Sequence, residues 1–362
     1  MRVGLVIYNS LETVSGGYLY DRKLVEHLRR QGDEVEVISL PWRNYARHLL
    51  DNFSAPLRRR LQGGRFDVLL QDELNHPSLF WLNRRIRPPY PILSVVHHLR
   101  SSERRPAWQN WLYLQVERGY LLSVDGFIFN SQATRRSVEG TGVSLTARSH
   151  LVAYPAGDQL RPEISEAEIL RRAVEPGPLR ILFLGNLIPR KGLHTLLRAL
   201  QQTPAGACTL SVVGSQQVDP AYVRAIRGQI EQGGLPDRMQ LLGPLPAQAL
   251  SACMRSHHLL VVPSTYEGYG IVYLEGMGFG LPAIGTTAGA ADEIITHEGD
   301  GFLIAPGDVA ALAQYLERLA RDRALLQGMS LAARRRYLVQ PTWEQTAGQI
   351  RAYLLTQAQK TE

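Results

Sequence analysis

The chain of 362 residues is 44% hydrophobic and 20% charged, and its formal net charge is +7. This length exceeds one comfortable core and predicts two α/β domains of roughly 150 to 180 residues each. No segment has the about 18 continuous apolar residues of a membrane span, and the opening MRVGLVIY resembles a buried strand more than a signal peptide, so we expect a cytoplasmic protein.

Basic residues are concentrated in the first part of the chain. Residues 1–160 hold 21 Lys and Arg against 15 Asp and Glu, with clusters at residues 58–60, 84–87 and 103–105. These clusters are either ordinary solvated helix faces or a surface for anionic lipid headgroups or an acidic acceptor. No aromatic-interleaved basic stretch or zinc-finger spacing accompanies the charge, which disfavours nucleic acid as a partner.

Short apolar runs alternate with amphipathic segments along the first half, which is typical of βα units around a parallel sheet. Predicted strands begin near residues 3, 34, 67, 92 and 126. The apolar stripe of residues 18–32 predicts a helix between the first two strands. A charged and then Pro/Gly-rich segment, residues 163–180, interrupts the pattern. We therefore predict an N-terminal Rossmann-like domain over residues 1–168.

The strand pattern then resumes. Further strands are predicted near residues 181, 210, 239, 259, 282 and 302. They predict a second Rossmann-like domain over residues 178–340 and a closing helix over residues 343–358 that packs back on the first domain. The predicted fold class is α/β, with two doubly wound domains facing each other across a cleft. Ligands of such sheets bind beyond the carboxyl ends of the strands, so a site is expected in the loops there.

The segment STYEGYGIVYLEGMGFGLPAIG, residues 264–285, keeps two carboxylates in apolar surroundings. Glu267 is predicted in the loop at the carboxyl end of a strand, and Glu275 inside the helix that follows. Both can face one ligand, one at sugar hydroxyls and the other at a ribose. The alternative is a solvent-facing Glu275 and a Glu267 that is favoured near the helix start by the helix dipole.

The start of that predicted helix is a candidate phosphate site. Its first N–H groups belong to Gly270, Ile271 and Val272, and the absence of bulky side chains at Gly268 and Gly270 leaves them accessible. Glycines at positions 276 and 278 indicate that another group approaches the helix backbone closely, since each costs roughly 1 kcal/mol relative to alanine. Two carboxylates and a phosphate site together describe a nucleotide-sugar.

These motifs resemble those of the retaining glycosyltransferases of family 4, which have the GT-B fold. The family's E-x7-E motif is represented by Glu267 and Glu275, and the segments AGAADEII (288–295), GDGFLI (299–304) and LGNLIPRKGLHTLLRAL (184–200) extend the similarity. The resemblance covers essentially the whole chain. It is strong over residues 181–338 and diffuse before them.

The resemblance implies that Lys191, in the family's Lys-Gly element, binds the donor diphosphate. Lys191 is one of only three lysines, against 37 arginines, and a point charge on a flexible stem suits a phosphate. Many members carry arginine where this chain has Asn186. Either Arg190 takes over that charge or the diphosphate is held differently.

The first domain offers further candidates. Gly16 and Gly17 precede the first predicted helix and resemble the family's glycine loop, although a simple flexible turn fits them nearly as well. His97, at a strand end, resembles the histidine near the donor sugar. Asp72 and Glu73 follow another strand, where either can orient an acceptor hydroxyl.

A metal ion and other cofactors are not expected. The chain has no Asp-x-Asp element, the metal-diphosphate motif of the other glycosyltransferase fold, so Lys191, Arg190 and backbone N–H groups must meet the charge of the leaving group. The resemblance implies retention of anomeric configuration, with a diphosphate oxygen as base. We expect transfer of a hexose from UDP- or GDP-hexose to a saccharide or glycolipid hydroxyl, with possible peripheral contact with an anionic membrane.

Two other functions compete with this one. A dinucleotide-dependent oxidoreductase needs G-x-G-x-x-G directly after a strand, and neither SGGYLYD nor EGMGFG meets that context. A non-catalytic relic that binds a nucleotide-sugar without turnover stays open because of Asn186 and Ala290, the latter at a position where many members carry glycine. The glutamate pair and Lys191 favour the enzyme.

Overall fold

The structure is a computed structural model that describes residues 1–103 and 105–359. Arg104, which belongs to the third basic cluster, lies outside the described residues. The strands are β1 (Arg2–Tyr8), β2 (Glu34–Leu40), β3 (Val68–Asp72), β4 (Ile92–Val96), β5 (Gly126–Phe129), β6 (Ser149–Val152), β7 (Leu179–Leu184), β8 (Cys208–Val213), β9 (Met239–Gly243), β10 (Leu259–Val261), β11 (Ala283–Thr286) and β12 (Gly301–Ile304). The helices are α1 (Gly16–Arg30), α2 (Tyr45–Leu50), α3 (Ala55–Gly63), α4 (His76–Leu79), α5 (Ala107–Leu121), α6 (Gln132–Gly140), α7 (Glu166–Ala173), α8 (Leu193–Gln202), α9 (Pro220–Gln232), α10 (Ala247–Ser256), α11 (Ile271–Gly278), α12 (Val309–Arg321), α13 (Arg323–Leu338) and α14 (Trp343–Gln359).

Two compact units divide the chain. The first combines residues 1–155 with the segment from Pro341 onward, and the second spans residues 156–340. Each unit contains one six-stranded sheet of parallel strands with helices in the connections. The predicted α/β class with two Rossmann-like sheets is therefore confirmed. Within the described ranges, no helix has the length and apolar character needed to cross a bilayer.

The division between the units falls earlier than residue 168, the predicted end of the first domain. Residues 156–168 group with the second unit. A Cβ on Gly157 would lie 2.7 Å from Leu274 of α11, and Arg334 of α13 donates a hydrogen bond to the Pro162 carbonyl at 3.4 Å. These contacts attach residues 156–168 to helices of the second unit. The sequence did not indicate this, because the Pro/Gly-rich stretch that suggested the boundary lies further along the chain.

The first sheet has the strand order β2-β1-β3-β4-β5-β6. Because β1 has β2 on one side and β3 on the other, the connections diverge between β1 and β3, where doubly wound sheets bind ligands. The sequence predicted every strand except β6. Its residues, Ser149–Val152, are half-buried or exposed at the sheet edge and lack the continuous apolar run of a central strand.

The closing helix α14 belongs to the first unit and packs on α1. Arg351 Nε donates to the buried Asp33 at 2.7 Å, and Thr346 Oγ1 donates to the Tyr154 carbonyl at 2.7 Å. On the sheet, α3, α4 and α5 share one apolar core, which includes Leu61, Leu79, Tyr120 and Phe127. We call α2, α3, α4 and α5, with the turns that join them, the helix layer of the first unit.

The second sheet has the strand order β12-β11-β10-β7-β8-β9. Its connections diverge between β7 and β10, so the loops that follow these two strands lie side by side at the switch point. All residues of β10 are fully buried, which explains why this strand appeared in the sequence as an uninterrupted apolar run.

Candidate active site

The loops at the switch point of the second sheet carry the predicted diphosphate site. Residues 185–192 follow β7, and residues 262–270 follow β10. The first loop ends in a single 3-10 turn, Pro189–Lys191. The amide of Thr265 donates to the Arg190 carbonyl at 2.8 Å, which joins the two loops by their backbones.

Gly192 lets the loops approach this closely. Its φ of +73° lies in the left-handed region, and a Cβ there would lie 2.1 Å from the Pro263 carbonyl oxygen. No other residue type fits this conformation and this contact without a backbone shift. The Lys-Gly element therefore places Lys191 against the loop after β10.

Lys191 and Glu267 form a largely buried ion pair. Lys191 Nζ lies 2.7 Å from Glu267 Oε2, and the two side chains are 13% and 12% exposed. Ser264 Oγ donates to the same carboxylate oxygen at 3.0 Å, and Arg190 NH1 lies 3.8 Å from Glu267 Oε1. Three groups thus hold one carboxylate at the strand ends.

The surroundings keep the Glu267 carboxylate ionised. Burial alone would raise its pKa, but the charges of Lys191 and Arg190 and the hydrogen bonds from Lys191 and Ser264 lower the pKa of Glu267 to about 2. Burial lowers the pKa of Lys191, an effect that the Glu267 charge opposes. The carboxylate 2.7 Å away favours the charged form of the ammonium.

The backbone of Glu267 is fixed by the segment AGAADEII. The Ala290 amide donates to the Glu267 carbonyl at 2.9 Å, and the Glu267 amide donates to the Ala288 carbonyl at 3.1 Å. Gly289, with φ +99°, would place a Cβ 1.9 Å from the Glu267 carbonyl oxygen. The family motif at residues 288–295 therefore positions Glu267.

The start of α11 is built as predicted, with Gly270 as its N-cap at φ +100°. The first intrahelical bond runs from the Tyr273 amide to the Gly270 carbonyl at 2.9 Å, so the N–H groups of Ile271 and Val272 precede the helical ladder. Both residues are partly exposed. Tyr273 Oη donates to the Val262 carbonyl at 2.7 Å and fixes the helix start beside β10.

Glu275 lies inside α11 but in a different set of contacts from Glu267. It is buried, and it accepts a hydrogen bond from the side-chain amide of Gln159. Burial raises the pKa of Glu275 to about 7, which the Gln159 bond only partly opposes. Within the described residues, no hydrogen bond links Glu275 to the Lys191 and Glu267 pair.

The glycines within α11 serve packing rather than a ligand. A Cβ on Gly276 would lie 2.9 Å from Leu260, and one on Gly278 would lie 2.8 Å from Pro162. The close approach inferred from the sequence is therefore real, but the approaching groups belong to the protein itself.

Arg190 and Asn186 occupy the loop after β7. Arg190 NH1 donates to the Tyr266 carbonyl at 3.0 Å, which holds the guanidinium beside Glu267. Asn186 is half-buried, and its carbonyl accepts from the Ile188 amide at 2.9 Å. The side chain that brings a second positive charge to Glu267 is therefore that of Arg190.

In the first unit, His97 follows β4 and is held by a buried acid of α1. His97 Nε2 lies 3.3 Å from Asp21 Oδ1, and Asp21 is fully buried. Gly16 and Gly17 are the first two residues of α1, not residues ahead of it, and a Cβ on Gly17 would lie 3.1 Å from the His97 ring. Gly17 thus makes room for the imidazole, and Ser15 supplies the N-cap.

Asp21 is a site residue that the sequence reasoning missed. The available signal was its place on the buried stripe of α1, in step with Leu24 and Leu28, where a charged residue needs a partner. Its second oxygen has no hydrogen-bond partner among the described residues. Asp72 lies close by, with ligand atoms of Asp21, Asp72 and His97 all within 4.8 Å of one another.

This cluster keeps the imidazole protonated. Burial alone would lower the pKa of His97, but the charges of Asp21, Asp72 and Glu73 and the Asp21 hydrogen bond raise it to about 9. Burial and the Asp21 charge raise the pKa of Asp72 to about 7. The imidazolium offsets one carboxylate charge, and the raised pKa of Asp72 limits the second.

A second group of potential metal ligands, Glu73, His76 and Glu117, lies nearby in the first unit. Burial raises the pKa of Glu73 and of Glu117 to about 7 and lowers that of His76 to about 4. Tyr45 Oη lies 3.1 Å from His76 Nε2, and the Ser101 amide donates to Glu117 at 3.2 Å. The raised pKa values of the two carboxyl groups and these hydrogen bonds reduce the cost of burying the group.

Two family models match the chain in succession. The model described as "Glycosyl transferase 4-like domain" matches residues 16–157, and the model "Glycosyl transferases group 1" matches residues 166–336. With the two parallel sheets and the sites at their switch points, they define the class: the chain belongs to the family 4 type of glycosyltransferases, sugar-transferring enzymes with the GT-B fold.

The chain is similar to several known glycosyltransferases. Phosphatidyl-myo-inositol mannosyltransferase of Mycobacterium leprae (strain TN) is 28% identical, over 97% of this chain and 95% of that protein. Sucrose-phosphate synthase from Thermosynechococcus elongatus superposes with a TM-score of 0.82 at 23% identity, over 98% of this chain and 99% of that one. Anabaena HepE, solved in complex with UDP-glucose, superposes with a TM-score of 0.78 at 20% identity, over 98% of this chain and 100% of that one. Both structural likenesses show the fold.

Proposed function

We propose that this protein is a retaining, metal-independent hexosyltransferase that uses UDP- or GDP-hexose and glycosylates a hydroxyl of a saccharide or glycolipid. The observation that carries the proposal is the buried pair of Lys191 and Glu267 at the switch point, with Arg190 3.8 Å from the carboxylate. The start of α11 is beside the same strand end. This combination offers positive charge and backbone N–H groups to a diphosphate.

The leaving nucleoside diphosphate is stabilised by Lys191, Arg190 and the N–H groups of Ile271 and Val272. Such donors are preorganised, because their positions are fixed by the loop backbone before the donor binds. They act where charge develops as the bond between the anomeric carbon and the diphosphate oxygen breaks. No metal ion is required for this step.

The acceptor hydroxyl attacks the anomeric carbon from the face that the diphosphate leaves. A bond forms from the acceptor oxygen to the anomeric carbon, and the acceptor proton passes to an oxygen of the departing diphosphate. In this proposal Glu267 holds hydroxyls of the donor sugar. Glu275 holds the ribose once Gln159 has released its carboxylate.

The combined charge of Lys191, Glu267 and Arg190 explains the role of Arg190. In the ligand-free chain the Lys191 ammonium is already neutralised by Glu267. Among Lys191, Glu267 and Arg190 the net charge of +1 that a diphosphate meets is therefore supplied by Arg190. Arg190→Ala is expected to weaken nucleoside diphosphate binding at least as strongly as the loss of an ordinary exposed side chain that contacts a phosphate.

Related proteins support the donor and acceptor classes. The Anabaena structure contains UDP-glucose, and the name of the Mycobacterium leprae relative specifies a mannosyl group and a phosphatidylinositol acceptor. Both relatives are less than 30% identical to this chain, so the test compares UDP- and GDP-linked donors directly.

The first test is calorimetric binding of UDP, GDP and ADP, each with and without a hexose, to the wild type and to Lys191→Ala. We expect micromolar binding of one base that Lys191→Ala weakens tenfold or more, by roughly 1.4 kcal/mol. The control is Arg318→Ala, which removes an exposed ion pair with Glu298 in the same unit. Equal weakening by both variants, or no nucleotide binding by folded wild type, would contradict the proposal.

Turnover and stereochemistry are tested next with the nucleotide-sugar that binds. Hydrolysis or transfer should be unchanged by a chelator, and NMR of the product should show the anomeric configuration of the donor. Binding without turnover for any acceptor would favour the non-catalytic relic, for which the neutral Asn186 is the specific observation. Inversion of configuration or chelator-sensitive turnover would contradict the proposed mechanism.

A further inference from the structure

Tryptophan is distributed in an unusual way on this chain. Of the five tryptophans in the sequence, Trp42, Trp81, Trp108 and Trp111 are 53%, 45%, 67% and 60% exposed, whereas only Trp343 is buried, at 7%. Tryptophan is on average a highly buried residue, and its exposed clusters mark interaction surfaces. All four exposed tryptophans belong to the first unit.

Three of them lie on the helix layer. Trp108, Trp111 and Leu112 have the i, i+3, i+4 spacing of one helix face and are all exposed, at the start of α5. Trp81 follows α4. We call the large exposed apolar residues of this layer the tryptophan face. Its members are Leu50, Phe53, Trp81, Trp108, Trp111 and Leu112.

Direct contacts connect the elements of this face. The rings of Tyr45 in α2 and Tyr113 in α5 have centroids 4.7 Å apart. The Trp81 amide donates to Asn52 at 2.9 Å, and Arg84 donates to the Gly119 carbonyl of α5 at 3.1 Å. The exposed aromatic residues therefore project from one packed layer and not from separate loops.

The same part of the chain carries the positive charge. Residues 41–122 hold 13 arginines against six acids, an excess of seven that equals the net charge of the whole chain. Three of the six acids, Asp72, Glu73 and Glu117, are buried. No arginine of this segment is buried among the described residues, so the surface of the layer is more basic than the formal count indicates.

We propose that the tryptophan face docks on the surface of a bilayer containing anionic phospholipids, with Trp108 and Trp111 at headgroup depth and the surrounding arginines on lipid phosphates. Tryptophan suits this boundary because its ring is apolar and its N–H is polar. Apolar burial and basic charge act together in interfacial binding. The proposal rests on the proposed function, because it places the enzyme where a lipid-linked acceptor is found.

Charge also disfavours a second copy of the chain as the occupant. A symmetric dimer through this face would set arginine-rich surfaces against each other, which like-charge repulsion opposes. An anionic lipid surface supplies the complementary charge, and the apolar side chains reach the boundary between the headgroups and the acyl chains. Lipid therefore accounts for both the tryptophans and the arginines.

The test is flotation of the full chain with phosphatidylcholine vesicles, with and without phosphatidylglycerol. Wild type should float only with the anionic vesicles, and less as salt rises. Trp108→Ser/Trp111→Ser should weaken binding by about tenfold or more, since it removes most of the apolar contact. The matched control is Leu338→Ser/Val339→Ser, which removes two equally exposed apolar side chains from the second unit.

A charge variant tests the other half of the proposal. Arg85 and Arg87 are exposed and follow Trp81, and Arg85→Gln/Arg87→Gln should weaken anionic vesicle binding about fivefold for each residue. Thermal unfolding of every variant confirms folding. Quenching of tryptophan fluorescence by lipids brominated in the acyl chains should be strong in wild type and largely lost in the tryptophan variant.

Three results would overturn the proposal: no flotation of wild type with anionic vesicles, equal loss in the control variant, or a wild-type dimer that the tryptophan variant dissolves. The last result would assign the face to a second copy. Nucleoside diphosphate binding is measured on the same samples. Vesicle binding without nucleotide binding contradicts only the proposed function, and the reverse contradicts only the docking surface.

Discussion

Lys191 Nζ and Glu267 Oε2 lie 2.7 Å apart in a site where both side chains are almost enclosed. Each charge has lost most of its hydration, and each is tolerated because the other is present. The pair is therefore fixed in place before a donor arrives. A diphosphate competes with Glu267 for the Lys191 ammonium. The same ion pair therefore affects both the stability of the fold and the binding of the donor.

Breaking this pair at one end should destabilise the chain. Lys191→Ala leaves Glu267 buried with the Ser264 hydrogen bond and with Arg190 3.8 Å away, and the free energy of unfolding should fall by about 3 to 5 kcal/mol. Lys191→Met/Glu267→Gln removes both charges and should recover most of the loss while activity stays absent. Urea unfolding with a donor turnover assay measures both. Full stability in Lys191→Ala would show that the pair is solvated.

Activity should fall steeply in the variants that fold. Losing one preorganised charge at the leaving group is expected to lower kcat by about 100- to 1000-fold. Arg190→Ala should have a smaller effect on stability, since Arg190 is more exposed and also bonds the Tyr266 carbonyl. A rise in KM alone would mean that Lys191 contributes only ground-state binding.

Gly289 should be intolerant of alanine because of contact as well as conformation. Gly289→Ala places a Cβ 1.9 Å from the Glu267 carbonyl oxygen at a φ of +99°. Gly307→Ala is the matched control, because Gly307 has φ +83° and nothing within 4 Å of its Cβ position. We expect Gly289→Ala to lower the unfolding free energy by about 1 to 3 kcal/mol more than the control. Equal losses in thermal unfolding would reduce the role of Gly289 to conformation alone.

The fold could be predicted from the sequence because parallel strands buried on both faces appear as continuous apolar runs. The strands near residues 92 and 126 were predicted at their observed bounds, Ile92–Val96 and Gly126–Phe129. The edge strand Ser149–Val152 was missed because its exposed residues carry no such signal. Helix α1 begins two residues before the predicted start, since Ser15 caps the Gly-Gly pair.

The candidate site could be predicted only for residues whose side chain suits a ligand and which lie in the loop after a predicted strand. Glu267 and Lys191 lie in loops that follow strands, which the strand pattern and the family motif both indicated. Asp21 and Gln159 appeared as ordinary polar residues, because their partners His97 and Glu275 are 76 and 116 positions away in sequence. Such pairs depend on strand order, which one sequence does not reveal.

Glu275 should make stability fall as pH rises. Its folded pKa of about 7 lies above the ordinary value of 4.5, so between these values the folded state binds more protons than the unfolded state. The contribution of Glu275 to the free energy of unfolding is therefore fully present below pH 4.5 and is lost as the pH rises through about 7. Glu275→Gln should remove about 3 kcal/mol of this dependence.

The comparison is urea unfolding at pH values on either side of that window. Glu298→Gln, an exposed acid of the same unit, is the control and should leave the pH dependence unchanged. Under the proposed function, Glu275→Gln also weakens nucleoside diphosphate binding through the ribose. An unaltered pH profile in Glu275→Gln would show that the carboxylate is solvated in the folded chain.

His97 should act as a cation that Asp21 maintains. Its folded pKa of about 9 exceeds the ordinary 6.5, so its contribution to stability is fully present below pH 6.5 and is lost as the pH rises through about 9. Asp21→Asn removes the charge nearest the imidazole. The stability of this variant should fall by about 1 to 3 kcal/mol at neutral pH, and its decline over that window should flatten.

Asp72 and Glu73 also face the imidazole, so part of the pH dependence should survive in Asp21→Asn. Asp21→Asn/Asp72→Asn should remove more of it, whereas His150→Asn, an exposed histidine of the same unit, should leave the profile unchanged. If Asp21 acts on the reaction through His97, the alkaline limb of the kcat profile shifts to lower pH in Asp21→Asn. A uniform loss of kcat at every pH, with the same alkaline limb, would instead mean that Asp21 only supports the fold around β4.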